Sequence, residues 1–342
     1  MKNSERKMKI LQVIIDDFIN TAHPVGSRTI AKKYPLGISS ATIRNEMADL
    51  EELGYLLQPH TSSGRIPSDR GYRLYVDNLM DKDIIIAREK RNIIRELLLN
   101  KVIEADDIIN QTVQLLSDLT GYVGIVSMPQ FNKSRLKNMK FVRISDSKVL
   151  MIFVSDSGTY KSLPILLNGI SQEVLDIVND SLLKLLKGIT IEEINIKLVN
   201  NLKKEFPEYS NFIDYLVPIM RDIFREMDEV ELYVNGTGNL FNSPEFKSIE
   251  EASVLLNIFE NKKDLYELFA DVSESISVKI GSELSIKEFS DCSMVATSYK
   301  FNGEYIGKIG VIGPKRMNYD IVISVVDYIR ETLSEIFSGI YL

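Results

Sequence analysis

The chain has 342 residues, enough for two or three separate cores, and with 44% apolar and 26% charged residues its composition is that of a globular protein. One cysteine, Cys292, and two histidines, His23 and His60, exclude an internal disulfide and the usual Cys/His zinc cages. The net charge of −7 argues against a polyanion partner, but residues 1–80 carry 11 Lys and Arg against 9 Asp and Glu, so the excess acid lies in the remainder.

The opening MKNSERKMKILQ is charged where an export signal needs an apolar stretch, and the longest apolar runs, such as 149–154, are far too short to span a bilayer. The expected location is a reducing cytoplasm, with no membrane partner. Residues 4–20 have the spacing of a helix capped by Ser4, with Met8, Leu11, Ile14, Ile15, Phe18 and Ile19 on one side. HPVG at 23–26 breaks it, and SRTIAKKY follows as a short second helix capped by Ser27, with Ile30, Ala31 and Tyr34 turned inward. A third helix opens at Ser39 or Ser40 and runs to Leu53, where Gly54 stops it. YLLQPHTSSGRIP then has the makings of a ribbon, with 55–58 as one arm, 61–64 as the tip, and Arg65 and Ile66 returning. Three helices and a ribbon make a winged helix-turn-helix.

A linking helix is expected at 69–80, and helical periodicity continues over 83–120 through Ile93, Leu97, Ile108, Ile109 and Leu116. FVRIS, KVLMIFVSD and TYKSLPILL read as strands, 171–228 as helices, 230–236 as a strand and 244–270 as helices again. ISVKIG is a strand, and SMVATSYKFNGEYIGKIGVIGP is a hairpin turning at Asn302 and Gly303, before a final helix from about 319 to 337. Strands therefore cluster at 138–167 and 276–313, and the economical reading is one α+β domain whose sheet is interrupted by an inserted helical subdomain.

On the third helix Ile43, Met47, Leu50 and Leu53 form the core stripe, and the opposite face presents Ala41, Asn45 and Ala48 beside Arg44. Small residues allow close approach to base edges, Asn can pair with adenine, and Arg can pair with guanine or phosphate. Ser39, Ser40 and Thr42 at the helix start can hold a phosphate, as can Ser27 and Arg28 at the start of the second helix. At the ribbon, His60, Thr61 and Ser62 can line a groove edge and Arg65 can meet phosphate or enter a minor groove. Helix capping and solvation also explain each Ser and Thr taken singly.

Other motifs fail on spacing. GTGN at 236–239 lacks the third glycine and the helix of a dinucleotide-binding turn, and GEYIGK at 303–308 is one residue short of a phosphate loop and lies in a strand. No catalytic constellation is present, and Cys292 has no basic neighbour to activate it. Neither a cofactor nor a metal is expected.

The stretch HPVGSRTIAKKYPLGISSATIRNEMADLEELGYLLQPHTSSGRIPSDRGYRLYVDNLM closely resembles the N-terminal region of the bacterial heat-inducible transcription repressor HrcA family. GTGNLFNSPEF (236–246) and GKIGVIGPKRMNY (307–319) resemble its later signature segments. The resemblance implies an α+β multidomain fold: a DNA-binding domain over 1–82, a GAF-like domain in two parts over 83–185 and 275–342, and an inserted dimerisation domain over 186–274. It also implies a homodimer that binds an inverted-repeat operator in double-stranded DNA upstream of chaperonin and chaperone operons, with its activity maintained by the chaperonin GroEL. A small ligand in the GAF-like domain is the alternative means of control. A chain with one recognition helix reads few base pairs, which is an independent reason to expect a twofold dimer. The segments SVLLNIF and DLYELF are the candidate interface, or else the insert's own core.

Overall fold

The computed structural model describes residues 3–59, 64–80, 88–99, 105–128, 135–155, 160–189, 200, 203–204, 207, 210–228, 231–246, 248–301 and 303–340. The chain forms two compact units, one of residues 1–129 with 231–342 and the other of residues 130–230.

The first unit begins with α1 (Asn3–Thr21), α2 (Ser27–Lys33) and α3 (Ser40–Glu52), followed by strands β1 (Leu56–Leu57) and β2 (Ile66–Pro67) and helix α4 (Asp69–Met80). Both α1 and α2 pack on α3, and Ile10, Leu11, Ile14, Ile30, Ile43, Met47 and Leu50 are buried. Removing side chains of this size from water is the main stabilising term available to so small a head. Leu53, expected in the stripe, is 49% exposed, because it is the residue that caps α3 and Gly54 leaves the helix at φ +77°. Ala31 is likewise exposed. Glu46 is buried in the stripe instead. The ribbon pairs Leu56 with Pro67 antiparallel, and Val25 extends it by exchanging backbone hydrogen bonds of 2.8 and 2.9 Å with Arg65. Only glycine fits at 64, since a Cβ there would overlap the Val25 carbonyl.

Next come α5 (Arg88–Leu99), α6 (Ala105–Thr120) and β3 (Val123–Ser127). On α5 the buried residues are Ile94 and Leu98, while Ile93 and Leu97, one position earlier on the wheel, face outward.

The second unit contains β4 (Leu136–Arg143), β5 (Lys148–Ser155) and β6 (Tyr160–Leu166), an antiparallel sheet in that order, with α7 (Gln172–Leu186) and α8 (Ser210–Asp228). One face of the sheet supplies Met139, Phe141, Val149, Met151, Phe153 and Ile165 to a core shared with Leu175, Val178, Leu182, Phe212, Ile213 and Leu216. On the other face cross-strand register aligns Val142, Leu150 and Pro164, then Lys140, Ile152 and Ser162, then Asn138, Val154 and Tyr160.

The chain then returns to the first unit with β7 (Leu232–Asn235), α9 (Ile249–Glu260), α10 (Lys262–Ala270), β8 (Ser277–Ile280), β9 (Cys292–Phe301), β10 (Glu304–Pro314) and α11 (Tyr319–Ile340). Its antiparallel sheet has the order β7-β3-β10-β9-β8. Helix α11 packs on β9 and α6 on β3, with Tyr299 of β9 stacked on Phe337 at 5.7 Å between ring centres. The β9–β10 hairpin turns through Gly303 at φ +89°, while Asn302 lies outside the described residues.

Three sequence expectations change here. The strands expected at 138–167 do not join the sheet of 276–313 but close a sheet of their own, so the division falls at 130 and 230, whereas 186 and 274 were expected. The larger sheet is completed by β3, which the alternation pattern leaves unmarked because all five of its residues are buried. Leu255, Ile258, Phe259, Leu265, Leu268 and Phe269 of α9 and α10, proposed for an interface, are buried within the first unit.

Truncating the α3 core stripe with Leu50→Ala should cost about 2–5 kcal/mol. Urea unfolding of the full chain measures it, and an unchanged midpoint would refute the packing described.

Candidate nucleic-acid interface

Helix α3 is positioned from three directions. Ser39 caps its start, its Oγ accepting the Thr42 amide at 3.1 Å and lying 3.0 Å from Thr42 Oγ1. Its far end is held by α4, where Arg70 donates to the Leu53 carbonyl at 3.0 Å and lies over the Tyr55 ring, and Ser68 Oγ donates to the Gly54 carbonyl at 2.6 Å. Asp17 of α1 pairs with Lys33 and accepts from Tyr34 Oη at 3.1 Å, which fixes α2 beside it.

The carboxylates of α3 are almost all paired. Arg6 Nε donates to Glu46 at 2.7 Å, Lys7 meets Asp49 at 2.7 Å, and Arg65 Nε meets Glu51 at 2.7 Å. The part-exposed pairs at Asp49 and Glu51 add little stability but remove negative potential from the outward side of the helix, while Glu46 is paired inside the stripe. Arg44 and Asn45 are exposed and, among the described residues, make no ion pair or side-chain hydrogen bond. Ala41 is exposed beside them.

The remaining sequence-predicted residues divide as follows. Ser40 and Thr42 are half-buried at the helix start, and Arg28 is exposed on α2. Ser27 does not cap α2: Gly26 occupies the cap position, with no side-chain cap bond, and Ser27 is the first helical residue. Arg65 shares the ribbon's base with the exposed face but is tied to Glu51. His60, Thr61 and Ser62 lie outside the described residues. The pairing residues Arg6 and Lys7 on α1 were not marked in the sequence; their partners lie some 40 positions away, beyond any local pattern.

Elsewhere the structure offers no competing chemistry among the described residues. No group of His, Cys, Asp and Glu could hold a metal. GTGN forms a turn, with Gly236 at φ +82° pressed on Ser117 and Asn239 donating to Ser117 Oγ at 3.0 Å, and a short 3-10 segment follows it. Burial, with Asp291 beside it, pushes the Cys292 thiol up to about 12, far from a reactive thiolate. A cavity of about 370 Å³ opens between α1 and α4, lined by Met8, Leu11, Tyr75 and Leu79 with Glu5 and Gln12. No described helix is long and apolar enough to cross a membrane.

Comparison with known proteins gives a consistent answer. The family described as "HrcA protein C terminal domain" matches residues 106–323. A heat-inducible transcription repressor HrcA from Clostridium acetobutylicum is 45% identical over 98% of this chain and 99% of its own. The HrcA of Carboxydothermus hydrogenoformans is 44% identical over 98% of both. A crystal structure described as that of a hypothetical protein superposes with a TM-score of 0.68 at 24% identity, covering 98% of each chain, and shows the fold alone.

If the exposed face of α3 meets base edges, Arg44→Ala and Asn45→Ala should each cost about 1–3 kcal/mol on a specific duplex and relax preference at the contacted base pair. Binding measured against single-base variants of the duplex tests this; unchanged discrimination would remove both residues from the interface.

Proposed function

The chain belongs to the HrcA family of heat-inducible transcription repressors, and from that membership we propose that it binds an inverted-repeat operator as a homodimer and so represses chaperonin and chaperone operons. The role is regulatory, not enzymatic. The observation that carries the DNA reading is α3 itself: Arg44 and Asn45 stand exposed in the N-terminal half of a helix whose Glu46, Asp49 and Glu51 are each paired with a cation. Recognition helices contact bases with their N-terminal residues, so the free cation and amide stand where base edges would be.

On this reading residues 1–82 act as a winged helix-turn-helix. Ser39, Ser40, Thr42, Ser27 and Arg28 meet phosphates, and Arg65, with His60, Thr61 and Ser62 of the ribbon tip, flanks the groove. The five-stranded sheet with α6 and α11 is the GAF-like part. The repressor works in the cytoplasm, and GroEL maintains its active form until misfolded proteins occupy the chaperonin.

The proposed dimer contact is the outer face of the β4-β5-β6 sheet. Leu150, Ile152 and Val154 run along its centre, and Val142, Tyr160 and Leu166 at its edges are 39%, 63% and 68% exposed. Exposed apolar side chains grouped on one sheet face mark a contact surface, here with Lys140, Asn138 and Ser162 among them. It replaces the helices of 253–269, where most apolar residues, Leu255, Ile258, Phe259, Leu265, Leu268 and Phe269, are spent on internal packing.

Fluorescence anisotropy with a labelled inverted-repeat duplex and a scrambled control, at fixed salt and with or without GroEL, tests the repressor reading. Preference for the repeat, raised by GroEL, is expected; equal weak binding to both duplexes by folded protein would overturn it. For the dimer, Ile152→Glu should yield a folded monomer in sedimentation equilibrium, and a variant that stays dimeric would move the interface elsewhere.

A further inference from the structure

Three stretches that carry the family resemblance lie far apart in sequence and meet at one place. Asp69 and Arg73 come from α4, Glu245 from the 3-10 segment Pro244–Phe246, and Lys315, Arg316 and Tyr319 from the junction of β10 with α11. Lys315 Nζ lies 2.9 Å from Asp69 and 3.3 Å from Asp291, and the other Asp69 oxygen accepts the Ser282 amide at 3.2 Å. Gly281, at φ +51°, leaves room for this carboxylate, which a Cβ would overlap. Arg73 Nε donates to Glu283 at 2.9 Å, and its Nη2 donates to the Val278 carbonyl at 2.5 Å. Arg316 pairs with Glu245 and donates to the Ile19 carbonyl of α1 at 3.1 Å. Between these links the Tyr72 and Tyr75 rings pack on Tyr319 at 6.1 and 6.5 Å between centres, and Tyr75 Oη donates to Asp16 of α1 at 2.8 Å.

Helix α4 therefore has two sets of contacts. Ser68 and Arg70 hold the C-terminal end of α3, while Asp69 and Arg73 hold the body. A helix of this length, about 18 Å, behaves as a stiff lever. The links to the body are directional ion pairs at part-exposed sites. Such pairs contribute little net stability but define geometry well, above all where a guanidinium spans a carboxylate and a carbonyl.

We propose that Asp69, Arg73, Lys315 and Arg316 are positioning residues that fix the direction of α3 on the body and thereby set the half-site spacing the protein accepts. The inference rests on the reading of the protein as a dimer on an inverted repeat. Two recognition helices must stand about 34 Å apart to enter successive major grooves, so a head free to swivel on its own body would tolerate more spacings than a clamped one.

The test uses the full-length protein, its Lys315→Met and Arg73→Met single variants, the double variant, and Lys315→Arg as a conservative control. Anisotropy is measured on inverted repeats whose central spacer is shortened or lengthened by one and two base pairs, and on an isolated half-site. The wild type and Lys315→Arg are expected to prefer one spacing by about tenfold or more, a discrimination of the size one mismatched base pair gives. The double variant should flatten that preference to about threefold or less while its half-site affinity and melting temperature stay near the wild type. A double variant that keeps the wild-type spacing profile, or that weakens on every duplex including the half-site in equal proportion, would overturn the positioning role. A wild type without preference for any repeat would overturn the operator reading beneath it, a result distinct from either.

Discussion

Everything in the head depends on how α3 handles its own charge. Unpaired carboxylates on a helix that lies against a polyanion repel it, and α3 carries Glu46, Asp49 and Glu51 in its second half, with Glu52 left exposed and unpaired among the described residues at its last position. The fold answers with cations from elsewhere: Arg6 and Lys7 from α1 and Arg65 from the ribbon. The same pairs decide packing. Glu46 is buried in the stripe where Arg6 reaches it, and an uncompensated carboxylate there would cost about 3–5 kcal/mol. Arg65, attached to Glu51, sets the base of the ribbon while Val25 holds its backbone. Electrostatics thus positions the elements and clears one face, and the apolar contacts of Ile43, Met47 and Leu50 supply the stability.

The body is built on the opposite logic. Its larger sheet is apolar through and through at the centre, where β3 and β10 lie side by side and α6 and α11 cover them. Polar groups within the sheet find partners, as when Tyr299 Oη donates to the Ser127 carbonyl at 2.7 Å. Where head meets body the two regimes join: a tyrosine cluster around Tyr319 supplies buried area, and ion pairs at its margin supply direction. That division lets one contact be both tight and geometrically defined.

What was legible in the sequence follows the range of the interactions involved. Helices α1, α3, α4 and α11 and the β9–β10 hairpin were readable because caps, periodicity and an Asn-Gly turn act within a few residues, although Ser4, expected as the cap of α1, lies inside a helix that already includes Asn3. The exposed face of α3 was readable for the same reason, since a helical wheel needs only the helix. Ser27 was misread as a cap because Gly26 gave no polar side chain to compete with it on paper, although its extended backbone fills the position. On α5, one residue of wheel rotation exchanged Ile93 and Leu97 for Ile94 and Leu98, and only packing against α6 and α11 decides between them. The assignment of strands to sheets was the largest gap. VGIVS carries no alternation, and nothing in KVLMIFVSD tells whether it pairs with its neighbours or with strands more than a hundred residues on.

The distribution of net charge acquires a physical meaning once the elements are placed. Four of the head's cations, Arg6, Lys7, Lys33 and Arg65, face carboxylates of the head itself. Arg28 and Lys32 on α2 and Arg44 on α3 stay exposed without an ion pair among the described residues, on a chain whose residues beyond 80 are acidic. Counterion release from phosphate contacts dominates non-specific affinity, and a protein with few free cations and an acidic body gains little from it. On the proposed reading, occupancy of DNA then depends on base contacts made by two heads at once. On the proposed dimeric reading, the second copy and a defined distance between the heads supply what the charge does not, and the acidity of the chain becomes a means of suppressing the wrong sites.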